Sequence, residues 1–460
     1  MNKILSFYKK SDPSTPFQGD EVAVKKYYNR LRWQVFLSST IGYSLYYVCR
    51  TSLNVVKKPI IESGALDAQQ LGIIGSALLF AYAIGKFING FLTDRSNIKR
   101  FMATGLIVSA IVNLAIGVLG FGSLSAGITS AGFFVAFAVL WGMNGWSQSM
   151  GAAPAIVSLS RWFPLKERGT FYGFFSASHN LGEFLSFVFV GLLVGFAGWQ
   201  WGFADAAVAG FIGVLTIVLF LHDTPESKGL PAIEVIAQEK TEGKQDIAAA
   251  QKGVLKNPFV WIIALASAFM YISRYAINGW GVLFLQEEKG FSLETATQII
   301  SINALLGVVG TVFSGWMSDK LFKGKRNMPA LLFGVVNAIA LCLFLYSGNS
   351  LWVNILSMVL FGIAIGVLIC FVGGLMAVDI VPRNATGAAL GVVGIASYIG
   401  AGLQDIISGT LIEKNKVATG IVDGVEQFHY DFTQVGIFWI AASVISFLLA
   451  TLVWNAKQKS

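Results

Sequence analysis

Charge is what this sequence has least of. Only 13% of its 460 residues are Asp, Glu, Lys or Arg, about half the share of an ordinary globular chain. Residues 101–160 and 327–378 carry no Asp, Glu, Lys, Arg or His over 60 and 52 positions. A spanning helix needs about 20 apolar residues, so each run holds two of them, and a soluble fold is excluded. Cysteine is equally scarce. Cys49, Cys342 and Cys370 are odd in number and scattered, which excludes a disulfide framework and a zinc site. His179, His222 and His429 are too few and too dispersed for a metal cluster. With no nucleotide-binding loop and no catalytic triad, neither an enzymatic role nor a cofactor or metal is expected. In a soluble chain the net charge of +8 would point to nucleic acid. In a membrane chain it matters only for where the cations lie, and no nucleic-acid partner is expected.

What is present is apolar: 55% hydrophobic residues, 50 Gly and 12 Trp, a composition suited to tightly packed membrane helices with interfacial aromatics. Residues 1–32 hold seven Lys/Arg and no small-residue cleavage site, so the apolar run from Trp33 is expected to stay as a helix. Turn clusters divide the chain into twelve predicted spans: 33–61, 70–92, 101–120, 128–158, 169–197, 201–221, 258–286, 295–319, 329–347, 352–380, 385–412 and 432–454. No β-barrel alternation is visible. With an even number of spans both ends face one side. That side collects 25 of the 33 Lys/Arg, against five (Lys57, Lys58, Lys289, Lys414 and Lys416) on the other, so both termini are expected in the cytoplasm. Arg50, Lys86 and Arg274 fall inside spans.

The hydrophilic stretch 222–257 reads as a cytoplasmic linker with a short amphipathic helix, dividing six spans (33–221) from six (258–454), with a tail at 455–460. The halves repeat. Gly90-Phe-Leu-Thr-Asp94-Arg95 returns as Gly315-Trp-Met-Ser-Asp319-Lys320, and Arg50 returns as Arg274, at offsets of 225 and 224. Pro164, Gly169, Gly173, Gly182 and Gly191 return as Pro382, Gly387, Gly391, Gly400 and Gly409, each 218 further on. Three sets at nearly one offset mark an internal duplication. Twelve helices in two parallel six-helix halves are similar to the major facilitator architecture, whose site lies at the midplane between halves. The loops at Asp94, Arg95, Asp319 and Lys320 resemble that superfamily's signature, which implies cytoplasmic bridges that gate the cavity. Lys99, Arg100, Lys323 and Lys325 are read as ordinary loop cations.

Arg50 and Arg274 each lie some ~15 Å from the nearer end of their helices, where an ionisable group costs about 2.5–3.5 kcal/mol or more. As repeat mates flanking one cavity they make a site for a dianion, because guanidinium forks match phosphate oxygens. A neutral sugar needs no Arg and a monocarboxylate does not need two. The substrate class is therefore phosphate, a phosphate ester or a dicarboxylate. Tyr43, Tyr47, Tyr82, Tyr271 and Tyr398 are candidate cavity hydroxyls. Lys86 either snorkels to the cytoplasm or adds positive potential to the cavity. His179 is a candidate phosphate ligand or partner of Glu183 one turn on. Gln404 and Asp405 are candidates for a substrate's hydroxyls, with packing as the alternative.

These residues lie in stretches that resemble one family. They are Gly42-Tyr43-Ser-Leu-Tyr46-Tyr47-Val-Cys-Arg50, Tyr82-Ala-Ile-Gly-Lys86-Phe, Asp94-Arg95-Ser96-Asn97, Lys166-Glu167-Arg168-Gly169, His179-Asn180-Leu-Gly182, Asp223-Thr224-Pro225 and Tyr271-Ile-Ser-Arg274-Tyr275. Over nearly the whole chain the sequence is similar to the organophosphate:phosphate antiporter family, which includes hexose-phosphate and glycerol-3-phosphate transporters and related sugar-phosphate sensors. The resemblance implies an inner-membrane carrier, exchanging external phosphate ester for inorganic phosphate in a lipid bilayer. It implies phosphate contacts at Arg50, Arg274, His179 and Lys86. A monomer is expected, since the twofold is internal. Three departures stand out. Thr51 follows Arg50 where the family often has Lys, Gly151-Ala-Ala-Pro154 replaces a Trp-Pro-Pro-Cys-like stretch, and span 11 lacks the Asp/Lys pair of the bacterial hexose-phosphate carriers. The sequence leaves two alternatives: a sensor acting with a histidine kinase, and a proton symporter using Glu183 or Asp405.

Overall fold

The computed structural model describes residues 6–123, 130–237, 247–322, 326–381, 385–422 and 425–454. Twelve long helical segments cross it. In the first half these are α1 (Glu21–Glu62), α2 (Ala68–Thr93), α3 (Ile98–Ser123), α4 (Ser130–Trp162), α5 (Leu165–Ser176 and Ser178–Ala197, one span interrupted at Ala177) and α6 (Trp199–Phe220). The second half contributes α7 (Pro258–Glu287), α8 (Leu293–Lys320), α9 (Asn327–Tyr346), α10 (Leu351–Cys370), α11 (Thr386–Lys414) and α12 (Thr433–Thr451). Among the described residues, ten helices are long and apolar enough to cross a membrane; α1 and α4 complete the twelve. These two carry buried polar side chains. Buried amides from α3 and α4 bind α1: Asn113 and Asn144 each donate to the Cys49 carbonyl, at 2.9 and 3.0 Å, and Gln148 donates to that of Tyr46 at 2.9 Å. In hydrocarbon such groups need a partner inside the protein.

The helix starts follow capping chemistry. Asp67 and Gln70 form a capping box on α2. Asn257 caps α7, with Pro258 at its first position, and Ser292 accepts from Thr295 N on α8. The same chemistry corrects the expected start of α1. Asp20 accepts from Ala23 N at 2.8 Å, so the helix begins at Glu21, twelve residues before the first apolar run. In the linker, the short helices Ile233–Ala237 and Ile247–Lys256 flank residues outside the description. An antiparallel hairpin, β1 (Lys416–Val422) and β2 (Val425–Tyr430), joins α11 to α12. The sequence reading did not anticipate it.

The halves meet along α2–α11, α5–α8 and α1–α7. At the end away from the chain termini the contact is close. Ala68 N donates to the Glu413 carboxylate at 3.2 Å, and Lys58 pairs with Glu287 at 2.7 Å. A Cβ on Gly72 would collide with the Asp405 carbonyl, and one on Gly191 would meet Thr297 Oγ1 at 2.6 Å. Toward the terminus end the helices part. Gly169 and Gly173 continue the α8-facing stripe set by Asn180 and Gly191, and Gly387 and Gly391 continue the α2-facing stripe of Gly402 and Gly409. All four have nothing within 4 Å of where a side chain would begin. The molecule is closed at the far end and open at the terminus end.

Candidate functional site

Beside the close contact of Gly75 with Asp405, a cavity between the halves is lined by Tyr47, Arg50, Thr51, Glu183, Tyr275 and Asp405, among others. Arg50 lines it from α1, and Arg274 of α7 adjoins it through the lining residue Glu183; each is about 5% exposed or less. Arg50 lies in an aromatic cage, with Tyr82, Tyr47 and Tyr398 ring centroids 4.3, 5.3 and 5.3 Å from its guanidinium carbon. Its Nη2 donates across the halves to the Tyr275 hydroxyl at 3.0 Å. Tyr275 stacks on Tyr271, and both lie within 6 Å of the Arg274 guanidinium. Tyr271 is the cavity hydroxyl expected on α7; the residue that bonds Arg50 is Tyr275, next to Arg274 in the sequence.

Arg274 is not free. Its Nη2 donates to Glu183 Oε2 at 3.3 Å, and Asn278 Nδ2 donates to Oε1 at 2.7 Å. Glu183 is therefore the partner of an arginine from the other half, which replaces the expected pairing with His179. The His179 ring instead lies 5.7 Å from that of Tyr47. Three buried polar atoms around this point have no partner: Arg50 Nη1, His179 Nε2 and Asn278 Oδ1. Buried polar groups are normally satisfied, so such a cluster indicates a place for a polar ligand. Tyr43, on α1, packs against Phe175 and Tyr47. Tyr82 and Tyr398 meet across the α2–α11 seam at 4.5 Å. Lys86 is exposed on the open side of that contact, its Nζ 5.3 Å from the Tyr398 ring, on the approach to the cavity.

A second correction concerns Lys57, which the sidedness count assigned to the loops of the far side. It is 1% exposed. Its ammonium sits 3.4 Å from the Trp280 ring centroid and 3.7 Å from Asp405, whose Oδ1 also accepts from Trp280 Nε1 at 2.8 Å. An Asp/Lys pair is thus assembled between α11 and α1. Gln404 lies elsewhere, fully buried and donating to Ser408 on its own helix at 2.8 Å.

The loop groups expected to bridge the halves do not do so here. Asp94, Arg95 and Lys320 are exposed, and no salt bridge among the described residues joins them to the other half. The Asp319 side chain lies outside the described residues. Each half is clasped internally instead. Arg161 binds the Asp223 carboxylate and the Ser96 and Asp94 carbonyls, and Arg326 binds Asp379 and Ser318. Among the described residues no cluster of three or more His, Cys, Asp or Glu could hold a metal ion.

Residues 39–404 match the model of the Major Facilitator Superfamily. The chain is 32% identical to a probable hexose phosphate transport protein of Chlamydia pneumoniae, over 96% of this chain and 95% of that one. It is 31% identical to the glycerol-3-phosphate transporter of Bacillus subtilis, over 96% of both. To the membrane sensor protein UhpC of Salmonella typhimurium it is 31% identical, over 87% of this chain and 90% of that one. Among solved structures, a bacterial homologue of the human lysosomal transporter Spinster shares the fold, with a TM-score of 0.72 at 17% identity over 93% of this chain and 99% of that one. The duplicated twelve-helix fold, the midplane arginines and these relatives agree: the chain is a multi-pass membrane protein of the major facilitator superfamily and belongs to its organophosphate:phosphate antiporter family.

Proposed function

We propose that this protein is a secondary carrier in the bacterial inner membrane. It exchanges an external phosphate ester for internal inorganic phosphate by alternating access, with hexose 6-phosphate ahead of glycerol 3-phosphate. The observation that carries this reading is the approach of Arg50 and Arg274 from the two halves to one buried site, Arg50 lining the cavity and Arg274 bonded to its lining residue Glu183, with an Arg50 donor and its neighbours unpartnered. Phosphate would take that place, accepting from both guanidinium forks. Because the two arginines belong to different halves, shared phosphate oxygens favour closure of the open seam, and the ligand shifts the population toward the occluded state. Lys86 draws the anion inward, and the organic part of an ester extends among the Tyr hydroxyls toward Asp405. The terminus end is cytoplasmic in this reading, and the carrier is a monomer in the bilayer.

The names of the relatives support transport of phosphate esters. The test is uptake of labelled hexose 6-phosphate and glycerol 3-phosphate into proteoliposomes with and without internal phosphate. Uptake should require internal phosphate, and Arg274→Lys should abolish it while the protein still folds, since an ammonium cannot supply the planar fork. Normal exchange by Arg274→Lys would sink the assignment. The similarity to a membrane sensor favours one second reading, a receptor. It takes the lead if neither label moves while either ester stabilises the purified protein through Arg50 and Arg274.

A further inference from the structure

A carboxylate beside the arginines of an anion site needs a reason, because it repels the ligand the arginines attract. Glu183 is such a group. It lines the same cavity as Arg50 and is bonded to Arg274 and Asn278, one partner on each oxygen. A carboxylate offers about four lone-pair positions, so each oxygen of Glu183 keeps capacity to accept. Any phosphate seated on Arg274 is placed next to a group that accepts on both of its oxygens.

We propose that Glu183 is a specificity-determining residue that accepts a hydrogen bond from a protonated phosphate oxygen, so that the carrier selects phosphate species bearing a P–OH group. This deepens the phosphate-site reading above and rests on it. The chemical consequence is a narrow substrate class. A phosphate monoester has its second pKa near 6, so only its monoanion, R–O–PO2(OH)⁻, carries the proton. Inorganic phosphate carries one as monoanion and as dianion alike. Sulfate matches phosphate in shape but carries none at neutral pH, and it would set a bare oxygen against the carboxylate. The arginines supply affinity for tetrahedral oxyanions in general, and Glu183 supplies the choice among them.

The groups that face Glu183 bear on its pH dependence. Arg274 and Tyr275 come from α7, Arg50 and Tyr47 from α1, and His179 from α5 itself. Asp405 of α11 lies across the cavity, already paired with Lys57. Of the other helices packed on α5, α6 carries one such group, Asp205, and α8 carries none between Glu294 and Asp319. An unperturbed histidine takes up its proton near pH 6.5. A measurement therefore needs a control in which protein titration cancels, and inorganic phosphate is that control.

Two readouts on the wild-type protein test the proposal. In the first, purified carrier is titrated with phosphate and with sulfate at constant ionic strength, following thermal stabilisation. Phosphate should stabilise, and sulfate should bind roughly 100-fold more weakly, the scale of a like-charge contact. In the second, exchange is measured from pH 6 to 8. The KM for the ester should rise about tenfold per unit as its monoanion is depleted, while the KM for inorganic phosphate stays level. In Glu183→Gln, whose amide can donate, sulfate should approach phosphate in affinity and the ester's slope should flatten. Equal binding of sulfate and phosphate by the wild type, or a level ester KM, overturns the role of Glu183 and leaves the phosphate site standing. Absence of any stabilisation by phosphate removes the site itself. Both wild-type readouts hold even if the variant fails to fold.

Discussion

Along one pair of helices, α2 and α11, two different surfaces face each other. In the far part, Gly72 lies so close to the Asp405 carbonyl and to Gly409 that no side chain could be added, Gly75 lies against the Asp405 carboxylate, and the Glu413 carboxylate accepts from Ala68 N. In the part near the termini, the stripe continues through Gly391 and Gly387, and nothing stands opposite. The residue type is the same and the surroundings are opposite. At the closed end glycine is required by contact in this state. At the open end it is unexplained by this state, which is what a surface kept clear for a second state looks like. The repeat extends the observation to α5, where Gly169 and Gly173 are the sequence mates of Gly387 and Gly391 and are equally open.

The sharpest way to break this contrast is to put the same side chain at both ends. Gly72→Leu should cost about 3 kcal/mol or more, as overpacking against backbone does at the severe end, and should abolish exchange; thermal unfolding and proteoliposome exchange read the two effects. A Gly72→Leu protein with wild-type stability would mean that the closed end is not held as described. Next in size, Gly391→Leu should leave stability within about 0.5 kcal/mol, as exposed substitutions do, yet slow exchange at least tenfold by blocking closure. Exchange at the wild-type rate would show that the open stripe is never covered. A smaller effect is expected from Lys58→Ala, which removes a pair with side chains 22% and 10% exposed. It should loosen the closed end by less than about 1 kcal/mol, seen as less than about a fivefold gain in far-side labelling of a cysteine placed at the cavity residue Asn54. The smallest is a pH effect at the terminus end. Burial, and then the Lys228 and Lys99 charges, push the His222 imidazole down to about 4. The unfolded chain takes up that proton near pH 6.5 and the folded chain only near 4, so stability is full above pH 6.5 and falls as pH drops toward 4. Melting curves of His222→Gln should show a shallower fall over that window.

How far the sequence was legible follows from where each signal lies. The spans and the two arginines were legible because a charge in hydrocarbon, or its absence over 60 residues, is costly enough to leave a local trace. The duplication was legible because the two halves share their glycine positions, close-packed at Gly182, Gly191, Gly400 and Gly409 and open at Gly169, Gly173, Gly387 and Gly391. Lys57 was not. By counting along the chain it stands near the end of a helix, and its partner Asp405 is 348 positions away in the other half. Glu183 and Arg274 are likewise joined only across the two halves, by side chains reaching from α5 and α7, so the sequence could show that a carboxylate lay within a span but not what it met. Tyr275 was hidden by having Tyr271 one turn earlier. The hairpin did leave a sign, the Asp423-Gly424 dipeptide between two strand-like runs, of the kind favoured in two-residue turns.

The ionic groups layered between the halves have an electrical consequence. Among the buried groups, with the exposed Lys86 left aside, Arg50, Arg274 and Lys57 are set there against Glu183 and Asp405, which leaves a surplus of one positive charge. A monoanion cancels it. A loaded carrier would then rock as a neutral body and feel no membrane voltage, whereas an empty one would drag a unit charge through the field at about 2.3 kcal/mol per 100 mV for a full crossing. Voltage would act on the unladen step alone, and a carrier so arranged returns most readily with cargo aboard.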